Sequence, residues 1–178
     1  NSSANPVLSI RKEGNTPAWG AVYEQYFQEI DKVKGQKGVL SVEKKLFVET
    51  NNGTNRQIRP VTPEQPLRIG DKVIVRLTIR TDREMNYVFL KDLRAGCFEP
   101  ADQLSGPESR DGIWYYRSPK DVSENFFINR LPEGTFVLEY PVYVSRSGEY
   151  AGGISTIQCM YAPEFVSHTA GESLRIMP

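Results

Sequence analysis

Along three separate stretches of this chain apolar and polar side chains alternate one for one, a period that suits a strand with one buried face. In residues 72–80, Val73, Val75, Leu77 and Ile79 share one face, with Lys72, Arg76, Thr78 and Arg80 opposite. Leu40, Val42, Leu46 and Val48 repeat the pattern against Ser41, Glu43, Lys45 and Glu49, and Lys44 is an inward-pointing exception. Phe136, Leu138, Tyr140, Val142 and Val144 make a third stripe. Shorter candidates lie at 87–93, 113–117, 124–129, 154–160 and 173–177. Such repetition predicts an all-β chain folded as an antiparallel β-sandwich, two sheets of three to four strands each.

The punctuation between stripes agrees. Asn51-Asn52-Gly53, Ile69-Gly70-Asp71, Pro132-Glu133-Gly134 and Ser147-Gly148 supply the residues that tight turns require. Pro60, Pro63 and Pro66 predict a stiff, extended crossover between sheets. One segment is ambiguous. Trp19, Val22, Tyr23, Tyr26, Phe27, Ile30 and Val33 fit helical spacing, whereas Gly20 and the density of aromatics favour a strand. Strand is the preferred reading of 19–33, preceded by a strand at 7–11 and a hairpin turn at Glu13-Gly14-Asn15.

Charge and composition narrow the function. The 22 basic and 22 acidic residues cancel, so the basic footprint of a dedicated nucleic-acid binder is missing. Apolar runs are only a few residues long, too short for a transmembrane helix. Asn1-Ser2-Ser3-Ala4 is neither a start methionine nor a signal peptide, and the chain is expected to be a piece of a longer protein.

Chemistry-bearing patterns are sparse. His168 is the single histidine, in a polar stretch, and can anchor neither a triad nor a zinc site. The carboxylate pairs Glu43/Glu49 and Asp82/Glu84 sit on expected solvent faces. Asp111, Asp121 and Glu124 lack the dense alternation of a calcium loop. Gly148, Gly152 and Gly153 do not open a helix as a phosphate loop would. No catalytic residues, metal ligands or cofactor are therefore expected. Trp114-Tyr115-Tyr116 and Phe126-Phe127 each put side chains on both faces of a sheet. They fill a thick core or form a carbohydrate- or protein-binding patch. Cys97 and Cys159 are either a disulfide or two buried thiols, and both readings stand.

The second half of the chain resembles a known family. Asp92-Leu93-Arg94-Ala95-Gly96-Cys97-Phe98-Glu99-Pro100 is similar to a D-x-L-P-A-G-F-E segment in the last macroglobulin-like domain of bacterial alpha-2-macroglobulins. The stretch 80–88, with Met85, Tyr87 and Val88, resembles the strand before it. Leu131-Pro132-Glu133-Gly134-Thr135-Phe136, Glu139-Tyr140 and Gly148-Glu149-Tyr150 follow in the family's order. Met160-Tyr161-Ala162-Pro163-Glu164-Phe165 looks like its M-Y-x-P-E segment.

The resemblance implies a macroglobulin-like sandwich of immunoglobulin-like architecture over 18–178. Residues 1–17 would be a linker or edge strand from a preceding domain. It also implies a non-enzymatic terminal domain of a large protease-trapping protein, exported to the periplasm or outer cell surface. The expected partners are the preceding domains of the same polypeptide and, through the whole protein, proteases. Neither Cys97 nor Cys159 is followed by the Glu-Gln of a thioester motif. Tyr161 matches a tyrosine that leans on the thioester in relatives, which makes Met160, Tyr161, Pro163, Glu164 and Phe165 the expected interdomain contacts; the other reading is that Tyr161 ends a strand and packs on its own domain. Arg94, where the family has Pro, and Gly152-Gly153, where Pro is common, predict looser loops beside the neighbour. The alternative is a binding module that uses Trp114, Tyr115 and Tyr116.

Overall fold

The computed structural model of the chain describes residues 9–20, 22, 26–52, 55–62 and 64–178. Their regular structure is almost entirely strand: β1 (Leu40–Asn52), β2 (Asn55–Pro60), β3 (Leu67–Arg68), β4 (Lys72–Thr81), β5 (Met85–Leu93), β6 (Phe98–Pro100), β7 (Gly106–Arg110), β8 (Ile113–Pro119), β9 (Ser123–Leu131), β10 (Gly134–Val144), β11 (Gly148–Ala151), β12 (Ser155–Cys159), β13 (Ala162–His168) and β14 (Ser173–Met177). The all-β antiparallel sandwich predicted by the stripes is what forms. Its sheets are larger than expected: β2-β1-β4-β10-β6 in one, β13-β12-β5-β9-β8-β7 in the other, and a small β11-β14-β3 sheet beside them. The extra strands are short or largely exposed, such as β3, β6 and β7, and so carry no apolar stripe.

All three stripes lie together in the first sheet. β4 is its spine, paired antiparallel with β1 on one side and β10 on the other. Val73, Val75, Leu77 and Ile79 therefore join Leu40, Val42, Val48, Leu138 and Val142 in one core. The six-stranded sheet closes it with Val88, Leu90, Ile113, Tyr115, Phe126, Ile128 and Ile157.

Residues 19–33 do not form the preferred strand. Where described, they carry no ladder, and their regular structure is a single 3₁₀ turn at Ile30–Lys32. A strand needs a partner edge, and none is offered among the described residues: Trp19 and Phe27 stand in solvent. Residues 9–11 likewise join no ladder among the described residues, while 7–8, Tyr23, Gly53 and Pro63 lie outside them. Further on, the chain is fastened. Gln36 and His168 exchange N–H···O bonds of 2.9 and 3.1 Å, and the Gly171 N–H donates to Val33 O at 2.8 Å.

The exception in the first stripe is explained by charge burial. Lys44 Nζ crosses to the opposite sheet and donates to Asp92 Oδ1 at 2.8 Å, Leu93 O at 2.9 Å and Gly152 O at 3.2 Å. Asp92 is fully buried and also accepts the hydroxyls of Ser155, at 2.8 Å, and of Tyr140. Burial first, and then the Asp92 charge, hold the Tyr140 phenol well above its ordinary pKa, so it stays a donor. Directly across the β5–β9 ladder from Asp92 is Glu124, equally buried. It accepts from Arg94 Nη1 at 3.0 Å and Arg117 Nε at 2.8 Å. Arg94 is thus locked rather than loose. Gly153 holds its loop equally tightly, because at φ +74° an added Cβ would fall 2.1 Å from Leu93 O.

The β7–β8 hairpin covers an edge. Asp111 and Gly112, at φ 51° and 82°, make the two-residue turn that Asp-Gly favours. Asp111 Oδ2 then accepts the Val137 N–H of β10 at 3.2 Å. Arg110 Nη2 reaches Glu139 at 2.7 Å, which Arg76 Nε holds from the other side at 2.6 Å. Burial opposes the charge on Glu139, but the bonds and charges of Arg76 and then Arg110 outweigh it and hold the pKa below the ordinary glutamate value.

Cys97 and Cys159 are separate buried thiols, not a disulfide. Burial pushes the Cys97 thiol up to about 11, and Cys159 Sγ donates to Asn86 O at 3.3 Å.

Asp92→Ala leaves the Lys44 ammonium buried without its counter-ion and is expected to cost about 3–5 kcal/mol in urea unfolding. Tyr140→Phe, which deletes one bond to a charged acceptor, should cost about 1.5–3 kcal/mol. A depressed carboxyl stabilises above its unfolded pKa and loses that effect as pH falls through its folded one. The melting temperature should therefore fall below about pH 4.3, the ordinary glutamate value, and Glu139→Gln should reduce the difference between melts at pH 7 and pH 3. Cys97 should resist a thiol reagent until the domain is unfolded.

Candidate functional site

The segment 160–165 sits where the six-stranded sheet turns back on itself. β12 pairs with β5 on one side and with β13, the edge strand, on the other, and the β12–β13 register shifts between Gln158 and Cys159. The two-residue turn between Cys159 and Ala162 puts Met160 and Tyr161 at the tip, the extra residues of the bulge being 163–165 on β13, and Tyr161 is 82% exposed. Pro163 and Glu164 follow on the exposed part of β13. Phe165 departs from the set: its ring is half-buried, packs on the core, and lies 5.8 Å from the Arg83 guanidinium. Four of the five expected contacts are therefore exposed, and the fifth is half-buried against the core.

Beneath the tip, strand β5 contributes a residue that sequence reasoning missed. Tyr87 has φ 55°, a left-handed conformation that costs a bulky residue about 1–3 kcal/mol. Its carbonyl accepts the Met160 N–H at 2.9 Å. Its ring meets the Tyr161 ring edge-on, with centroids 5.1 Å apart at 82°. No local sequence signal marks this; a tyrosine inside a strand pattern reads as ordinary pleat.

The same sheet face continues as an aromatic surface. The ladders place Tyr116 opposite Phe127, Phe127 opposite Phe89, and Phe89 opposite Gln158. Phe89 and Phe127 stack at 4.9 Å. Trp114, two residues from Tyr116 along the same strand face, is 71% exposed. Tyr115 does not belong to this surface. It points into the core, where it is 6% exposed, and its hydroxyl donates to Glu108 at 2.9 Å. Burial, then Glu108, push its pKa up to about 12. Phe126 is likewise core and Phe127 surface, so the alternation divides both clusters in half.

The acidic and histidine candidates are dispersed. Glu124 is held by its two arginines, Asp111 caps the β10 edge, and Asp121 is exposed. Glu49 pairs with Lys72, Asp82 with Arg83 and Glu84 with Arg130. His168 is engaged through its backbone with Gln36, and its Nδ1 lies 3.1 Å from Thr169 O. Among the described residues no group of three or more His, Cys, Asp or Glu stands close enough to hold a metal ion. What the arrangement offers is an apolar and aromatic contact face with a phenol at its corner.

Residues 40–164 match the family model described as bacterial alpha-2-macroglobulin MG10 domain. Among solved structures, Salmonella alpha-2-macroglobulin reacted with methylamine superposes with a TM-score of 0.63 at 21% identity, over 82% of this chain and 10% of that one. Escherichia coli alpha-2-macroglobulin activated by porcine elastase gives 0.63 at 18% identity, over 82% and 14%. The E. coli protein from domain MG7 to its C-terminus gives 0.62 at 16% identity, over 81% and 24%. At these identities the structures speak for the fold, and the chain spans a tenth to a quarter of their length. A Dictyostelium discoideum protein, circularly permutated Ras protein 2, is 28% identical over 109 residues, which is 61% of this chain and 3% of that protein. The family model covers well over half of the chain, and the chain belongs to the bacterial alpha-2-macroglobulin MG10 domain family.

Proposed function

We propose that this chain is a non-enzymatic domain of an exported protease-trapping protein, docking through its Tyr161 turn onto the thioester-type domain and steadying the uncleaved state. The observation that carries the reading is the exposed Tyr161 at the tip of a braced hairpin, in the sequence context where the family resemblance expects it. A phenol suits such a contact, with a flat apolar face to exclude water and one hydroxyl to bond the neighbour. Relatives supply the wider frame: the Salmonella protein was reacted with methylamine, and the E. coli protein is activated by elastase and by trypsin. On this reading the protein partners are the preceding domains of one polypeptide and, through the whole molecule, proteases. The setting is the periplasm or outer cell surface.

A second reading rests on Trp114 and Tyr116. Their shared exposure on one sheet face also suits stacking against a carbohydrate ring or another protein. Tyr115 drops out of it, being buried.

In the full-length parent, Tyr161→Gly should speed the reaction of the thioester with methylamine or loosen the domain arrangement seen by small-angle scattering. Tyr161→Phe should lie between wild type and Tyr161→Gly. A Tyr161→Gly parent that matches wild type in both measurements overturns the docking role. For the second reading, tryptophan fluorescence of this chain titrated with a glycan panel is expected to stay flat. A saturating shift abolished by Trp114→Phe would favour the carbohydrate site instead.

A further inference from the structure

Two non-glycine residues among those described have positive φ, Tyr87 and Asp111. Asp111 precedes Gly112 in a tight hairpin turn, where the left-handed conformation is what the turn requires. Tyr87 lies inside a strand, where an extended conformation is available and a bulky side chain disfavours anything else. The β5–β9 register passes from Asn86 opposite Arg130 to Val88 opposite Ile128 without a pair at Tyr87. The residue has been turned away from its own ladder and toward the β12–β13 tip. Its carbonyl takes the Met160 N–H at 2.9 Å, its ring abuts Tyr161 at 5.1 Å, and the carbonyl of Asn86 before it takes the Cys159 thiol at 3.3 Å. Three consecutive residues of the tip, Cys159, Met160 and Tyr161, are thus held by two consecutive residues of β5.

We propose that Tyr87 is the positioning residue for Tyr161. Its left-handed backbone aims a carbonyl at the turn, and its ring sets the direction in which the Tyr161 ring projects from the domain. The inference rests on the docking role assigned to Tyr161 for its consequence, but the positioning is a property of this chain alone. It gives a role to an unfavourable backbone conformation in a well-packed sheet: the carbonyl bond and the ring contact described for Tyr87 both go to the tip. With one rotation of a backbone unit, an otherwise unsupported exposed tyrosine acquires a wall.

The test exploits glycine, which adopts positive φ without the steric cost of a Cβ. Tyr87→Gly deletes the ring while easing the backbone, and Tyr87→Phe keeps the ring and the strain. In this 178-residue chain, with the tyrosine rings isotopically labelled for NMR, the Tyr161 ring signals should be displaced by the neighbouring ring in wild type and in Tyr87→Phe. In Tyr87→Gly they should collapse toward the positions of a free tyrosine, while the urea midpoint stays unchanged or rises. Tyr161 signals that do not move in Tyr87→Gly overturn the proposal. So does a lowered urea midpoint, because the ring would then be holding the domain and not the turn. In the full-length parent, Tyr87→Gly should change methylamine reactivity in the same direction as Tyr161→Gly and by a smaller factor. If the signals collapse in the isolated chain and Tyr161→Gly is silent in the parent, the positioning stands and the docking role fails.

Discussion

The two large sheets are joined through a buried charge, and the rest of the architecture is arranged around it. Lys44 from one sheet and Asp92 from the other meet at 2.8 Å, with Lys44 fully engaged by three acceptors and Asp92 by three donors. Immediately beside them Glu124 is neutralised by Arg94 and Arg117. An apolar replacement of such a cluster is often as stable, so its value lies in geometry. Apolar faces slide over one another at little cost, whereas an ammonium that must find Asp92, Leu93 O and Gly152 O has one acceptable position. Lateral register between the sheets follows from that position. Arg94 and Gly153 are part of this fixed arrangement rather than loose loops.

Register fixed at one end of the sandwich leaves the other end free to specialise. The polar row Glu124–Asp92–Ser155 lies on the inner face at one end of β9, β5 and β12, and the Met160–Tyr161 tip lies at the other. Between them run apolar pairs on the inside and the aromatic rows on the outside. The aromatic face is therefore carried on strands of the six-stranded sheet, with the Met160–Tyr161 turn at its corner. A contact surface built this way keeps its shape when unoccupied, which reduces the ordering cost of docking.

Much of this was legible in the sequence, and the reason is periodicity. Three clean stripes give the first sheet, and Lys44, the polar residue in an apolar position, marks the ion pair before its partner is known. The partners were readable by the same rule. Asp92 shares parity with Val88 and Leu90, Glu124 with Phe126 and Ile128, and Arg117 with Ile113 and Tyr115, so the stripes of β5, β9 and β8 each end in an inward charge. The division of Trp114-Tyr115-Tyr116 also follows from alternation, which puts Tyr115 inside. The edges were not readable, because β3, β6 and β7 are short or exposed and bury little on which a pattern can act. Nor was Tyr87: its left-handed conformation goes with contacts to Met160 and Tyr161, far along the chain, and no local pattern marks it. The aromatic density of 19–33 misled for a related reason. Strand propensity is a statement about fitting a pleated surface, and the described part of that segment has no surface to fit.

Residues 30–37 give the domain an unusual point of attachment. Gln36 is bonded to His168, the last residue of β13, and Gly171 is packed so closely against Ile30 that no side chain fits there. The first residue of β13 is Ala162, next to Tyr161. Chain entry and exposed tyrosine thus occupy opposite ends of one strand. With residues 163–165 lacking a register partner on β12, the bonds of β13 gather beside the entering segment, and the Tyr161 end is tied to β12 through the Cys159–Ala162 pair.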